Sequence, residues 1–334
     1  MANSDREMTG KRIRLPVIGR NGTEASLATR AAVATVLLLI IGGIGAPSTV
    51  SLSAVLSMLP FIAILAVASM GQHLVILQRG LDLSVAGMMS LSAALVTALP
   101  PSGVGTGALL GYIALALGSG ILAGLINGLV VTQLSVPALV TTIGSGSVLL
   151  GMTLFVSHSI PSKSPDSLSQ FALGKFAGIP DTIYVMAIVI AALMFIIGRT
   201  TIGRRFIAVG VNPLAAHAVA IPVDLYRIGT YVVAGLCYAG AGVMLAGYLS
   251  IPTVFCGSPY LLGTAAAVVV GGNSIGGGVR GSVIATVIGA FFLTYLDQLV
   301  LAAGFETSMQ DIVEALIVVS GVALPVVARR IRHA

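Results

Sequence analysis

Ten apolar stretches leave this chain little choice of fold. They lie near residues 28–46, 54–77, 83–99, 108–132, 138–157, 182–198, 228–250, 260–272, 281–303 and 311–328. A helix that crosses a bilayer needs about 20 apolar residues, within a range of about 17–25. Most of the stretches meet that length; the eighth is short. Charged residues are only 8% of the 334, against 57% hydrophobic, and the mean hydropathy is +1.05. A soluble fold covers itself with roughly 25% charged side chains. A soluble enzyme and a disordered chain are both excluded. The expected fold is an all-α integral membrane protein of about ten transmembrane helices, some short or broken.

The placement of charge orients it. Residues 1–30 carry Arg6, Lys11, Arg12, Arg14, Arg20 and Arg30 against Asp5, Glu7 and Glu24, and the other end adds Arg329, Arg330 and Arg332. These two ends hold the whole formal charge of +6. Cytoplasmic flanks of membrane helices are enriched in Lys and Arg, so both ends are expected in the cytoplasm. A nucleic-acid surface would need a continuous basic face with aromatics. Here the excess is split between two tails and Trp is absent, so no nucleic-acid partner is expected. An even number of spans agrees with ends on one side. The loop 199–227, with Arg199, Arg204, Arg205 and Arg227 against Asp224, falls inside; the near-neutral 158–181 and the acidic 304–311, with Glu306 and Asp311, fall outside. The expected division is a basic tail over 1–27, a transmembrane domain over 28–328 with a cytoplasmic loop at 199–227, and a basic tail over 329–334. About thirty residues precede Ala31, long for the start of a cleaved signal, so the first helix is read as a retained anchor.

Glycine carries the next signal. Gly120, Gly124 and Gly128 recur every four residues and make a smooth groove for a close helix neighbour. The stretch GGNSIGGGVRG at 271–281 interrupts the apolar pattern, and QRGLDLS at 78–84 does so in the first half. Irregular backbone at membrane depth is tolerated only inside protein or along a cavity. One break in each half suggests an internal repeat.

Chemistry-bearing motifs are sparse. No glycine-lysine pair has the spacing of a phosphate-binding loop, so the chain is expected to hydrolyse no ATP itself. Gly276, Gly278 and Gly281 fit G-x-G-x-x-G but lack a strand–helix setting. Cys237, Cys256 and the scattered His73, His158, His217 and His333 build neither a metal site nor a triad. The glycosylation sequon at Asn21 falls in the tail assigned to the cytoplasm. Arg79 and Asp82, three apart at the inner end of two spans, read either as an interfacial pair capping a helix start or as a gate or partner contact. Asp297 lies deeper in the ninth span, either as a functional carboxylate or as one that snorkels to the outer surface. In the 199–227 loop, Asn212 is a good N-cap and Pro213 suits a first helical position, which predicts a short helix to about Ile221. That helix is either an interfacial turn or a docking element for a cytoplasmic partner.

Four runs then converge. GLDLSV (80–85), GLINGLVVTQLSVPALVTTIGS (124–145), GRRFIAVGVNPLAAHAVAI (203–221) and AAAVVVGGNSIGGGVRGS (265–282) occur in order. Together they resemble the membrane permeases of ribose-type monosaccharide ABC importers, a group within a superfamily that includes branched-chain amino-acid permeases. The resemblance covers most of the chain from about residue 54. It implies a ten-helix bacterial inner-membrane subunit that pairs with a second permease. An ATP-hydrolysing subunit, which binds ATP and Mg, would dock on the cytoplasmic loop, and an external binding protein would deliver the small-molecule substrate. Gly203, Arg204, Arg205, Gly210, Asn212, Pro213, Ala215 and Ala216 match the family's coupling loop, in which Leu214 and His217 replace more polar residues. Arg79, Gly80 and Leu81 stand where the family has two glycines and an isoleucine. Leu261 and Gly263 stand where it tends to carry two acidic residues. These departures suggest one specialised member of a heteromeric pair.

The expected function is permeation of a ribose-, xylose- or galactose-like monosaccharide or related polyol, with no catalytic residue, cofactor or metal in this chain. Asn127, Thr141, Thr142, Ser145, Ser147 and Asn273 are the candidate path residues, since neutral hydroxyls and amides suit a sugar. Interhelical hydrogen bonding is the commoner role of such residues in membranes, and it stands as the other reading of each. Rival readings are a branched-chain amino-acid or nucleoside permease, and a stand-alone ion-coupled carrier, which would need an intramembrane acid or histidine relay.

Overall fold

The computed structural model describes residues 22–273 and 281–333. The basic residues before 22, the sequon at Asn21, and Gly276, Gly278 and Arg280 lie outside the described residues.

Without water in the bilayer core, each span must satisfy its own backbone, and helices do so. α1 (Gly22–Gly45) runs into a 3-10 turn (Pro47–Val50), followed by α2 (Leu52–Leu77), α3 (Val85–Thr97), α4 (Thr106–Gln133) and α5 (Ala138–Ser157). Next come α6 (Asp166–Leu173), the two-residue antiparallel strands β1 (Lys175–Phe176) and β2 (Ile179–Pro180), and α7 (Asp181–Arg199). α8 (Thr201–Val211) and α9 (Pro213–Ala218) lead to α10 (Val223–Leu249), α11 (Tyr260–Val270), α12 (Val283–Ala302) and α13 (Thr307–His333). Among the described residues seven helices are long and apolar enough to cross a membrane: α1, α2, α4, α5, α7, α10 and α12. α3 and α11, of 13 and 11 residues, are also apolar but short. At 1.5 Å per residue they reach about 20 and 16 Å, less than the roughly 30 Å hydrocarbon core. α13 occupies the tenth expected stretch.

α2 and α10 form the centre and run antiparallel. Phe61 near the start of α2 packs edge-on against Tyr248 near the end of α10, with ring centroids 4.7 Å apart. Farther along, Gly71 lies against Ala234, and Gly80 just beyond α2 lies against Tyr231. α10 packs on α3 and α4; α2 packs on α11 and α12; α3 packs on α5, and α11 on α13. Exchanging α2–α5 with α10–α13 leaves these pairings unchanged, and the antiparallel α2–α10 pair makes the repeat inverted. The repeat does not equate the two breaks that suggested it. The 78–84 break joins the first helix of its unit to the second, whereas 271–282 joins the second to the third. Proximity of glycine and polar residues was a poor guide to repeat position.

The predicted glycine groove is the α4–α10 contact. A Cβ at Gly120 would strike the Gly235 carbonyl, one at Gly124 the Tyr231 carbonyl, and one at Gly128 would sit 2.8 Å from Ile228 Cα. α3 is buried along its whole length, while α5 and α7 turn Phe155, Ile188 and Phe195 outward. In a multi-pass membrane protein that outward apolar face meets lipid or another chain.

The 158–181 segment is more ordered than a loop. α6 packs on α10, and Ser164, only 2% exposed, donates its hydroxyl to the Ala246 carbonyl (2.6 Å) and its N–H to the Ser250 carbonyl (2.7 Å).

Candidate functional site

At one end of the central pair, α8 and α9 form an elbow. Thr200 caps α8 by accepting from Gly203 N at 3.2 Å, and a Cβ at Gly203 would collide with the Ile196 and Ile197 carbonyls. Gly210 presses on the Leu77 carbonyl at the end of α2, where no side chain fits. Asn212 caps α9 as expected, Oδ1 accepting from Ala215 N at 3.1 Å, with Pro213 at the first position. α9 ends at Ala218 rather than near Ile221, because Ala220 turns left-handed (φ 57°) and Ile221 N returns to the Ala216 carbonyl at 3.1 Å. Ala216 is buried with Val209 and Val223. Leu214 is 84% exposed, and Ala215, Val219, Arg204 and Arg205 are exposed with it. The helix α8 was missed in the sequence. The recurrence of Gly203, Phe206, Val209 and Gly210 every three to four residues, the buried face of the helix, is the available signal.

The connector between α2 and α3 is tied to this elbow. Gln78 Nε2 donates to the Phe206 carbonyl (2.8 Å), Arg79 Nε to Gly210 (3.1 Å) and Arg79 Nη2 to Val211 (2.6 Å). Arg79 does this from a left-handed backbone, φ 64°, a conformation that glycine adopts without strain. The expected Arg79–Asp82 pair does not form, since each finds a nearer partner. Asp82 Oδ1 accepts from Ser84 N (2.9 Å) and Ser84 Oγ (2.6 Å).

The candidate path residues divide. Asn127 Nδ2 donates to Ser84 Oγ (3.1 Å), and Thr142 Oγ1 accepts from Leu83 N (3.0 Å) while bonding the Leu81 carbonyl (3.3 Å). Both hold the connector. Thr141, Ser145 and Ser147 bond carbonyls of Pro137, Thr142 and Ile143 along their own helix. Asn273 belongs to another network. Its Nδ2 donates to Thr286 Oγ1 (3.0 Å) and Val268 O (3.1 Å), its Oδ1 accepts from Ser282 N (2.9 Å), and Thr286 Oγ1 meets His73 Nδ1 at 2.9 Å. Asn273 thereby ties its own end of the stretch to Ser282 and, through Thr286, to α12 and to His73 of α2.

None of those six lines the cavity at the opposite end of α2 and α10. That cavity measures about 530 Å³ and takes its walls from α2, α10, α11, α12 and α13. Asp297 lines it half-buried, together with Gln298, Gln310, Glu314, Tyr248 and Tyr260, so Asp297 faces a cavity rather than reaching to the surface alone. Gln310 Nε2 donates to the Asp297 carbonyl at 3.0 Å, which fixes α13 to α12. Glu314 lies inside the tenth apolar stretch and is a site residue that sequence reasoning missed. Its signal was the same as that of Asp297, a carboxylate among apolar residues. Gly263, at one of the positions where the resemblance led to an acidic residue, lines this cavity too. A Cβ there would lie 3.1 Å from Glu314 Oε1, so the carboxylate of α13 extends into the space left by Gly263. Among the described residues no group of three His, Cys, Asp or Glu side chains is placed to hold a metal ion.

The family model for the branched-chain amino acid transport system / permease component matches residues 54–320. The ribose import permease protein of Escherichia coli K12 is 29% identical over 295 residues, spanning 87% of this chain and 91% of its own length. That of Bacillus subtilis is 32% identical over 293 residues, spanning 86% and 89%. The galactofuranose transporter permease protein of E. coli K12 is 31% identical over 259 residues, spanning 76% and 74%. No solved structure matches the chain.

Proposed function

The chain belongs to the family of branched-chain amino acid transport system permease components, and on that premise we propose that it is the permease subunit of an ATP-driven importer for a monosaccharide or related polyol. The relatives named for ribose and galactofuranose support the substrate class. The elbow carries the mechanism. α9 is capped, short and exposed, and a helix of six residues is not stable alone in water. Ala216 holds it from behind, the Gln78 and Arg79 hydrogen bonds hold the preceding α8 in place, and Leu214, Ala215 and Val219 face outward. That apolar edge suits the groove of a cytoplasmic ATPase subunit. Movement of the docked elbow would pull on Gln78 and Arg79, hence on the connector that Asn127 and Thr142 hold. ATP and Mg then belong to the partner, as do the second permease and the external binding protein to the assembly, with both ends of this chain cytoplasmic.

The test is uptake by proteoliposomes holding this chain, its partner permease and the ATPase, with the binding protein added outside and a panel of labelled sugars. Uptake of at least one monosaccharide is expected. Uptake of leucine or a nucleoside with no sugar uptake would overturn the substrate class.

A further inference from the structure

The cavity opposite the elbow has a chemistry that the permease reading does not use. Asp297 and Glu314 both face it, and no basic side chain lines it. Among the described residues neither carboxylate has a hydrogen-bond or ion-pair partner; the one ion pair there, Lys163–Asp166, is elsewhere. Glu314 is only 6% exposed. A buried carboxylate without a partner is costly, and a second one facing the same space adds repulsion. The walls supply what a small solute needs beside a charge. Tyr248, Tyr260, Phe61 and Phe255 give flat apolar faces, and Gln298 and Thr294 offer hydrogen bonds. The volume lies within the roughly 300–1,000 Å³ of small-molecule sites. Gly263 puts no side chain of its own beside Glu314, whose Oε1 would lie 3.1 Å from a Cβ there.

We propose that this cavity binds a polyhydroxylated solute bearing a protonated amine, such as an amino sugar, with its ammonium between Asp297 and Glu314. A neutral sugar would leave both carboxylates without a counter-charge. A free amino acid would bring a carboxylate for which the lining has no cation. The ammonium donates to the two carboxylates, its ring or hydroxyl face lies on the tyrosines, and remaining hydroxyls reach Gln298 and Thr294. The inference rests on the permease reading and narrows its substrate.

The full chain in nanodiscs, titrated with labelled D-glucosamine and D-glucose at pH 7 and constant ionic strength, tests it directly. Charge-assisted hydrogen bonds are stronger than neutral ones, so glucosamine is expected to bind about tenfold tighter or better. Glu314→Gln, equal in shape, should abolish that preference while α13 still packs. Asp297→Asn gives a second reading if the first variant fails to insert. Equal binding of both sugars overturns the proposal, as does a preference that survives in both variants. Displacement of glucosamine by sodium but not by choline at equal concentration makes the site one for an inorganic ion and overturns it too. ATP-driven uptake of neutral sugar without glucosamine binding refutes this inference alone. Glucosamine binding without any ATP-driven uptake refutes the permease reading alone.

Discussion

Arg79 reaches across 132 positions of sequence to the Val211 carbonyl, with Nη2 2.6 Å from the oxygen, and it holds the turn between α8 and α9 onto the end of α2. A left-handed conformation costs a residue with a Cβ about 1–2 kcal/mol. Hydrogen bonds from a charged donor return about 1.5–3 kcal/mol each when buried, and less at an exposed group such as Arg79. The two effects are close to balance, so this residue gives little net stability. Arg79→Gly should therefore leave the melting temperature within a few degrees while transport per ATP hydrolysed falls several-fold. A large loss of stability with unchanged coupling would show that Arg79 only holds the fold.

The outer edge of α9 is the second test. Ala215→Asp places a carboxylate where an apolar contact is expected, at a cost of several kcal/mol if it is left unpaired on docking. Because Ala215 is exposed in this chain, the variant should insert and melt as before. The ATPase should no longer co-purify. Retained ATPase with normal transport would reduce α9 to an interfacial turn.

Much of this was legible in composition and spacing. All ten apolar stretches are helices, and each is a predominantly apolar run of the kind that satisfies its own backbone hydrogen bonds in lipid. Asn212 and Pro213 announced α9 through local capping chemistry, and Gly120, Gly124 and Gly128 announced a close helix contact through their spacing. What stayed hidden depends on long-range pairing. Nothing near Asn127 or Thr142 says that their partners are Ser84 and Leu83, and only the folded bundle brings Glu314 beside Gly263. The repeat was suspected for an incorrect reason, since its signature lies in which helices touch rather than in where the polar breaks fall.

The glycine groove makes a paired prediction. Gly124→Ala forces a Cβ into the Tyr231 carbonyl, which α10 can relieve only by moving, so stability should fall by about 2 kcal/mol or more. Gly118→Ala on the same helix meets nothing within 4 Å and should be neutral or slightly stabilising, as alanine favours the helix. Both are read by thermal unfolding in one detergent.

Topology is tested best at Lys163 and Thr201. Ser164, in the same segment as Lys163, is too buried to report, whereas the Lys163 side chain is 68% exposed and Thr201 is exposed. Cys237 and Cys256 are buried and contribute little background. Lys163→Cys should react with an impermeant maleimide only from outside, and Thr201→Cys only from inside. Reaction of both from one side would refute the span that separates them.

The central claim is that a separate cytoplasmic ATPase subunit drives this chain through its elbow. The most direct measurement is labelled-sugar uptake by the reconstituted assembly, with ATP and ion gradients imposed separately. Uptake should require ATP on the ATPase side, persist when ionophores collapse every gradient, and vanish with Ala215→Asp. Uptake that follows a proton or sodium gradient without ATP would make the chain a stand-alone carrier and contradict the account.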